Sequence, residues 1–187
     1  MELLNRDAAF VLLQNYVKNE NMIKHCLASE AVMRALAAKF GENVEEWGLA
    51  GLLHDIDVEV TNADLSVHGT KAGDLLRPVG IPEHVIEAIR MHNEFSAKAR
   101  RTEKFHKALA AGESITGLVT ATTLVYPDKK LASVKPSSVV KRMKEKAFAA
   151  SVNREIIREC EQIGVPLPEF AELAVVAMRG ISDKLGL

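Results

Sequence analysis

Histidine and aspartate stand next to each other once in this chain, at His54-Asp55. The pair closes the apolar run Leu49-Ala50-Gly51-Leu52-Leu53, so both side chains start from a buried helix end. Taking an imidazole and a carboxylate out of water there is costly unless something pairs with them. A divalent cation would do so, because imidazole nitrogen and carboxylate oxygen both ligate iron, manganese or zinc. An ordinary hydrogen-bonded helix cap would also do so.

Three more of the six histidines sit where ligation is open to them. His25 lies near the apolar face of a helix marked by Leu27, Val32, Leu36 and Phe40, where a satisfied core histidine is the alternative. His68 opens a short helix as His-Gly, and His92 ends the helix carrying Ala88-Ile89-Arg90-Met91. A cap and an interaction with the helix dipole are their other readings. Glu113 sits within Leu109-Ala110-Ala111-Gly112-Glu113-Ser114-Ile115-Thr116-Gly117, among small and apolar neighbours. It is either on an exposed stripe or paired inside. Gly112 and Gly117 each cost about 1 kcal/mol in a helix interior, so something should approach closely there.

These residues need helices to carry them. Apolar spacing is helical throughout, and no run shows period-2 alternation or an Asn-Gly or Asp-Gly hairpin turn. Helices are predicted over about 8–18, about 21–40 with Asn21 as cap and Gly41 as stop, and about 43–54, where Asn43 and Glu46 resemble a capping box. A loop over 57–66 precedes a short helix over about 68–76, broken by Pro78 and Gly80. Pro82 starts another to about Met91. The rest divides into about 103–124, 137–148, 153–162 and 168–184, separated by Pro127, Pro136, Gly164 and Pro166. Eight or nine helices on one core give an all-α single domain over 1–187. Its motif-bearing part spans about 20–125, followed by a helical extension over about 136–187.

The composition agrees with an ordinary globular domain. The chain has 187 residues, 48% hydrophobic and 26% charged, enough for one sizeable core and short for two. Lys and Arg number 24 against 25 Asp and Glu, so general nucleic-acid binding is not expected, although a local basic patch is compatible with that balance. No run is long enough to span a membrane, and Met1–Asn15 does not read as a secretory signal. Cys26 and Cys160 form no framework and fit free thiols in a reducing cytoplasm. The stripe Phe170, Leu173, Val175, Val176, Met178, Ile181 near the C-terminus reads as a core helix, with an oligomer face as its other use.

Taken together, His25, Leu52-Leu53-His54-Asp55 and Glu113 resemble the HD-domain superfamily of metal-dependent phosphohydrolases. His68 in His-Gly-Thr-Lys-Ala-Gly and His92 in Ala-Ile-Arg-Met-His-Asn resemble the two extra histidines of branches that hold a second metal. The resemblance covers roughly residues 20–125 and implies a six-ligand site of His25, His54, Asp55, His68, His92 and Glu113. It implies one or two divalent ions per chain, iron or manganese first and zinc, nickel or magnesium after them. Two departures stand out. The last ligand is usually Asp, not Glu. A Lys often follows the His-Asp pair, where this chain has Ile56-Asp57-Val58-Glu59. Phosphate charge would then fall to Lys71, Arg90, Lys141 or Arg142.

The implied reaction is hydrolysis of a phosphate ester in a small nucleotide or related metabolite. Two cations about 3.5–4 Å apart can share and acidify a water that attacks phosphorus in line. Asp55 is the natural bridge and the catalytic carboxylate, with His25, His54 and Glu113 on one ion and His68 and His92 on the other. With a single ion, Asp57 or Glu59 would assist as base. The histidines must be neutral to ligate, so activity should fall in acid. The same ligands would also suit a di-iron oxygenase. Glu113 and the missing Lys also leave room for a catalytically weak nucleotide-binding module.

Overall fold

Each of the first three helices begins behind an asparagine. In the computed structural model, which describes residues 4–187, α1 (Arg6–Tyr16) starts after Asn5, whose Oδ1 accepts from the Ala8 amide at 2.9 Å. Helix α2 (Glu20–Phe40) is capped by Asn19, not by the expected Asn21, because Asn19 Oδ1 reaches the amides of both Asn21 and Met22. It stops at Gly41, whose φ of 69° lies in the left-handed region that glycine enters without a Cβ clash. Helix α3 (Val44–Leu53) is capped by Asn43 through the amides of Glu45 and Glu46. The reciprocal half of the expected capping box is absent, since the Glu46 carboxylate instead meets His84 Nε2 at 2.8 Å.

The chain then turns repeatedly from His54 to Lys71 before α4 (Ala72–Leu76). The helix expected from His68 starts four residues later, because Gly69 has a φ of 85° and its amide is bonded to Asp57. After a 3₁₀ turn over Arg77–Val79 come α5 (Glu83–His92), α6 (Glu94–Ala97) and α7 (Lys104–Leu124). The remaining helices are α8 (Pro136–Arg142), α9 (Arg154–Ile157), α10 (Glu159–Gln162), α11 (Leu167–Arg179) and α12 (Ser182–Leu185). The architecture is all-α, with no strand among the described residues. Twelve α-helical segments replace the eight or nine expected. Two expected helices are each divided by a turn, and α8 ends at Arg142 where Phe148 was expected. Past α8 the carbonyls of Phe148, Ala149 and Val152 are taken by the Arg154 guanidinium, so they are lost to a helical ladder.

One core runs through all of this. Helix α2 packs against α3, α7 and α11, and α7 packs against α5 as well. Leu36, Met33, Leu52, Leu53, Leu109, Leu118, Phe170 and Val175 are fully buried together in this core. The stripe near the C-terminus therefore serves as core packing through Phe170, Val175 and Met178, while Val176 faces outward. The costly glycines of α7 are explained by close approach. A Cβ on Gly112 would lie 3.1 Å from Met33 Sδ of α2, and one on Gly117 would lie 3.2 Å from Val152. No helix of the described residues is long and apolar enough to cross a membrane. Both cysteines are free and buried.

Candidate metal centre

Helix α3 is buried on almost every side from Trp47 to Leu53, and Gly51 lets it lie against α2. A Cβ at Gly51 would stand 2.6 Å from the Ser29 carbonyl oxygen. This close crossing brings the end of α3, His54-Asp55, up against His25 on α2. The turn after it returns His68 to the same place, and the end of α5 supplies His92.

Asp55 is at the centre. Its Oδ2 lies 3.4 Å from His54 Nε2 and 3.6 Å from His25 Nε2. Its Oδ1 lies 3.1 Å from His68 Nε2 and 3.7 Å from His92 Nε2. Within each pair of rings the two Nε2 atoms are 3.1 Å apart. Two nitrogens held cis on one ion at bonds of about 2.1 Å would be about 3.0–3.4 Å apart, so both pairs have the spacing of shared ligation. Two groups could therefore each hold an ion, His25–His54–Asp55 and Asp55–His68–His92, with Asp55 common to both.

The other nitrogen of every ring has an oxygen partner. His54 Nδ1 donates to Gly51 O at 2.8 Å, His92 Nδ1 to Ile89 O at 2.5 Å and His68 Nδ1 to Asp57 Oδ1 at 2.8 Å. His25 Nδ1 is 3.0 Å from Thr116 Oγ1, whose own hydroxyl donates to Glu113 O at 2.7 Å. This arrangement turns every Nε2 toward Asp55, with a lone pair on His25, His54 and His92 and, once its proton is displaced, on His68. Four converging imidazole nitrogens beside a carboxylate form a donor set that calls for positive charge, whether a proton or a cation.

The electrostatics follow from that demand. Burial pushes His54 and His92 down to about 4 and lowers His25. Burial also acts to lower His68, but its hydrogen bonds to Asp55 and Asp57 outweigh it and push it up to about 10. Burial works against ionising Asp55, yet His54, His68, His25 and His92 together hold its carboxyl well below the usual range. His68, the ring between two carboxylates, is the histidine of the cluster that favours its proton.

Glu113 stands beside this set without joining either group. Its Oε2 is 3.7 Å from His25 Nε2, and its Oε1 accepts from the Ser114 hydroxyl at 2.5 Å. Burial, reinforced by Asp55, raises it to about 8. It lines, with His25, Asp55, His68 and His92, a cavity of about 450 Å³ whose far wall is Ser151, Val152 and Asn153.

The cations expected to meet phosphate are elsewhere. Lys71 is exposed and tied to Asp74 at 2.6 Å. Arg90 is held by both oxygens of Glu87 and by Ala97 O. Lys141 and Arg142 border a separate depression beside Tyr126 and Pro127, with Arg142 over the Phe148 ring. None of the four lines the metal cavity. The two candidate bases are also engaged. Asp57 is fully buried and bonded to His68 and Gly69, and Glu59 accepts from the amides of Lys18 and Asn19.

Arg101 carries no signal in the sequence. Its side chain is almost wholly buried, and it donates to Met91 O, His92 O and both oxygens of Glu159, tying the end of α5 to α10. The second Arg of Arg100-Arg101 in the polar stretch 98–104 reads as solvated, so only the fold reveals it.

The HD domain family matches residues 22–124, which span every residue of the cluster and Glu113. Among curated proteins, the chain is similar to Ribonuclease Y of Fusobacterium nucleatum, 26% identical over 138 residues, 73% of this chain and 27% of that protein. It is also similar to Ribonuclease Y of Pelobacter propionicus, 32% identical over 75 residues, 40% of this chain and 14% of that one. Ribonuclease Y of Nitratidesulfovibrio vulgaris is 30% identical over 76 residues, 41% of this chain and 15% of that one. The chain thus spans only about a quarter or less of the length of the curated relatives it matches. No solved structure matches it significantly.

Proposed function

The chain belongs to the HD domain family, and from that premise we propose that it is a metal-dependent hydrolase acting on a phosphate ester of a nucleotide or related metabolite. The observation that carries this reading is the division of Asp55, one oxygen to each histidine pair, with every Nδ1 already engaged. His25, His54 and Asp55 would hold one cation and Asp55, His68 and His92 a second. Glu113 would complete the first set on giving up its proton. When bound, such cations acidify a water and neutralise phosphoryl oxygens.

The protein's own part is to orient and to keep charge in place. Asp57 and Thr116 hold His68 and His25 so that their Nε2 atoms face inward. In the reaction the water oxygen bonds to phosphorus, the ester P–O bond breaks, and the leaving oxygen takes up a proton. The name of the Ribonuclease Y relatives adds an RNA phosphodiester to the esters worth testing. The free, buried cysteines suit a cytoplasmic setting.

Elemental analysis of protein purified without chelator should find close to two divalent ions per chain, led by iron or manganese. His54→Ala and Asp55→Ala should each lose metal and phosphate-ester turnover while circular dichroism stays helical. Undiminished hydrolysis by either variant would sink the proposal. Turnover should be equal with and without O₂. Oxygen consumption tied to iron would instead favour the oxygenase reading of the same ligands.

A further inference from the structure

The metal cavity and a neighbouring depression share His92, Asn93, Asn153 and Ile156. That depression carries Arg100 and Arg101 together with the carboxylates Glu94, Glu155 and Glu159, and it shares Glu94, Phe95 and Arg100 with a hollow of about 690 Å³ that Ser66, Lys98 and Ala99 complete. Phe95 is 70% exposed, and Leu65, on the rim of the metal cavity, is 62% exposed. Asn93 ties the two backbones together, because its Nδ2 donates to Leu65 O at 2.8 Å while its Oδ1 accepts from the Phe95 amide at 3.2 Å. An exposed phenyl ring on the short helix α6, next to a polar site, offers a face for stacking.

The charges are mixed in the depression, where Glu155 and Glu159 sit with Arg101, and net positive in the hollow. Arg100 is nearly fully exposed and pairs with Glu94 at 3.2 Å. Lys98 has no carboxylate within ion-pair distance among the described residues, so the hollow carries an excess positive charge. A flat ring beside a cationic patch, one step from a phosphate site, fits a nucleobase followed by its next phosphate.

We propose that this hollow is a nucleobase subsite. The base next to the phosphate at the cluster stacks on Phe95, and the phosphate beyond it meets Lys98 and Arg100. The substrate is then a single-stranded oligonucleotide segment with an unpaired base, which is larger than a lone mononucleotide. The inference rests on the cluster being where the scissile phosphate sits, as proposed above. It is compatible with a net charge of −1, since only a local patch is involved.

Binding tests it separately from turnover. The probe is a trinucleotide with 2-aminopurine at its centre and uncleavable phosphonate linkages, titrated with the full chain in EDTA and again in manganese. Stacking should quench the 2-aminopurine fluorescence saturably. Phe95→Ala should weaken binding roughly 5- to 100-fold, as loss of one base stack does, and Phe95→Trp should retain it. Arg100→Ala should lower the slope of log K against log salt by about 0.7. Val176→Ala, an exposed apolar change on α11, is the control and should match wild type. Equal affinity of wild type and Phe95→Ala in both media, or equal affinity for a probe lacking the central base, overturns the subsite. If the probe binds through Phe95 and no phosphate ester is hydrolysed, the subsite stands and the catalytic proposal falls. If phosphate esters are hydrolysed and binding is indifferent to Phe95, the catalytic proposal stands and the subsite falls.

Discussion

Asp57 is wholly buried, and both of its oxygens are used, one by the His68 ring and the other by the Gly69 amide. It therefore acts through His68 and is a positioning residue; its place two positions after Asp55 suggested a base instead. After Asp55, it is the second carboxylate whose hydrogen bond raises His68. His68, at about 10, and Glu113, at about 8, hold protons at pH 7, whereas His25, His54 and His92 lie below the ordinary histidine value and do not. A cation that takes these sites must displace protons from the first two groups, so its affinity should climb as pH rises from 6 toward 8. Titration calorimetry in two buffers of different ionisation enthalpy should register proton release on metal uptake. Asp57→Ala removes one of the carboxylates that raise His68, so fewer protons should be released, and affinity should drop about 10- to 100-fold. Release unchanged in that variant would refute the role assigned to Asp57.

At the scale of elements, the cluster depends on how closely α3 lies against α2. Gly51 faces backbone, with the Ser29 carbonyl oxygen 2.6 Å from where a Cβ would be, and backbone cannot rotate out of the way as a side chain can. Gly51→Ala should push the helices apart, cost about 1–3 kcal/mol and move His54 relative to His25. Thermal melting and metal content should fall together. A variant with wild-type melting and full metal would show that the crossing distance does not position the site. Gly112 faces the more yielding Met33 Sδ and should tolerate alanine better. A costly glycine was legible in the sequence, but which neighbour it faces was not.

At the scale of the whole molecule, the family match ends at residue 124, yet the core does not. Helix α11 buries Phe170, Ala174, Val175 and Met178 and packs on α2, the helix that carries His25, as well as on α7 and α8, and the Arg101–Glu159 pair fastens the end of α5 to α10. The C-terminal helices thus help hold the shape of the cluster. Phe170→Ala should destabilise the chain by about 3–5 kcal/mol, read by urea unfolding, because a fully buried phenyl leaves a cavity that packed neighbours cannot fill. A loss below about 1 kcal/mol would mean that α11 is peripheral.

Helical class, most helix starts and the order His25, His54-Asp55, His68, His92, Glu113 were readable from residue types, because caps, breakers and apolar spacing act within a few positions along the chain. The arrangement at the site was not. That Asp55 gives one oxygen to each histidine pair depends on where three helices cross. That Lys71, Arg90 and Arg100 are tied to Asp74, Glu87 and Glu94, while Lys98 in the outer hollow has no carboxylate partner among the described residues, depends on which charges fall within about 4 Å in space. Local backbone preferences extend over about four residues of a helix, whereas these partners are chosen by packing between segments far apart in sequence. Only the folded chain brings them together.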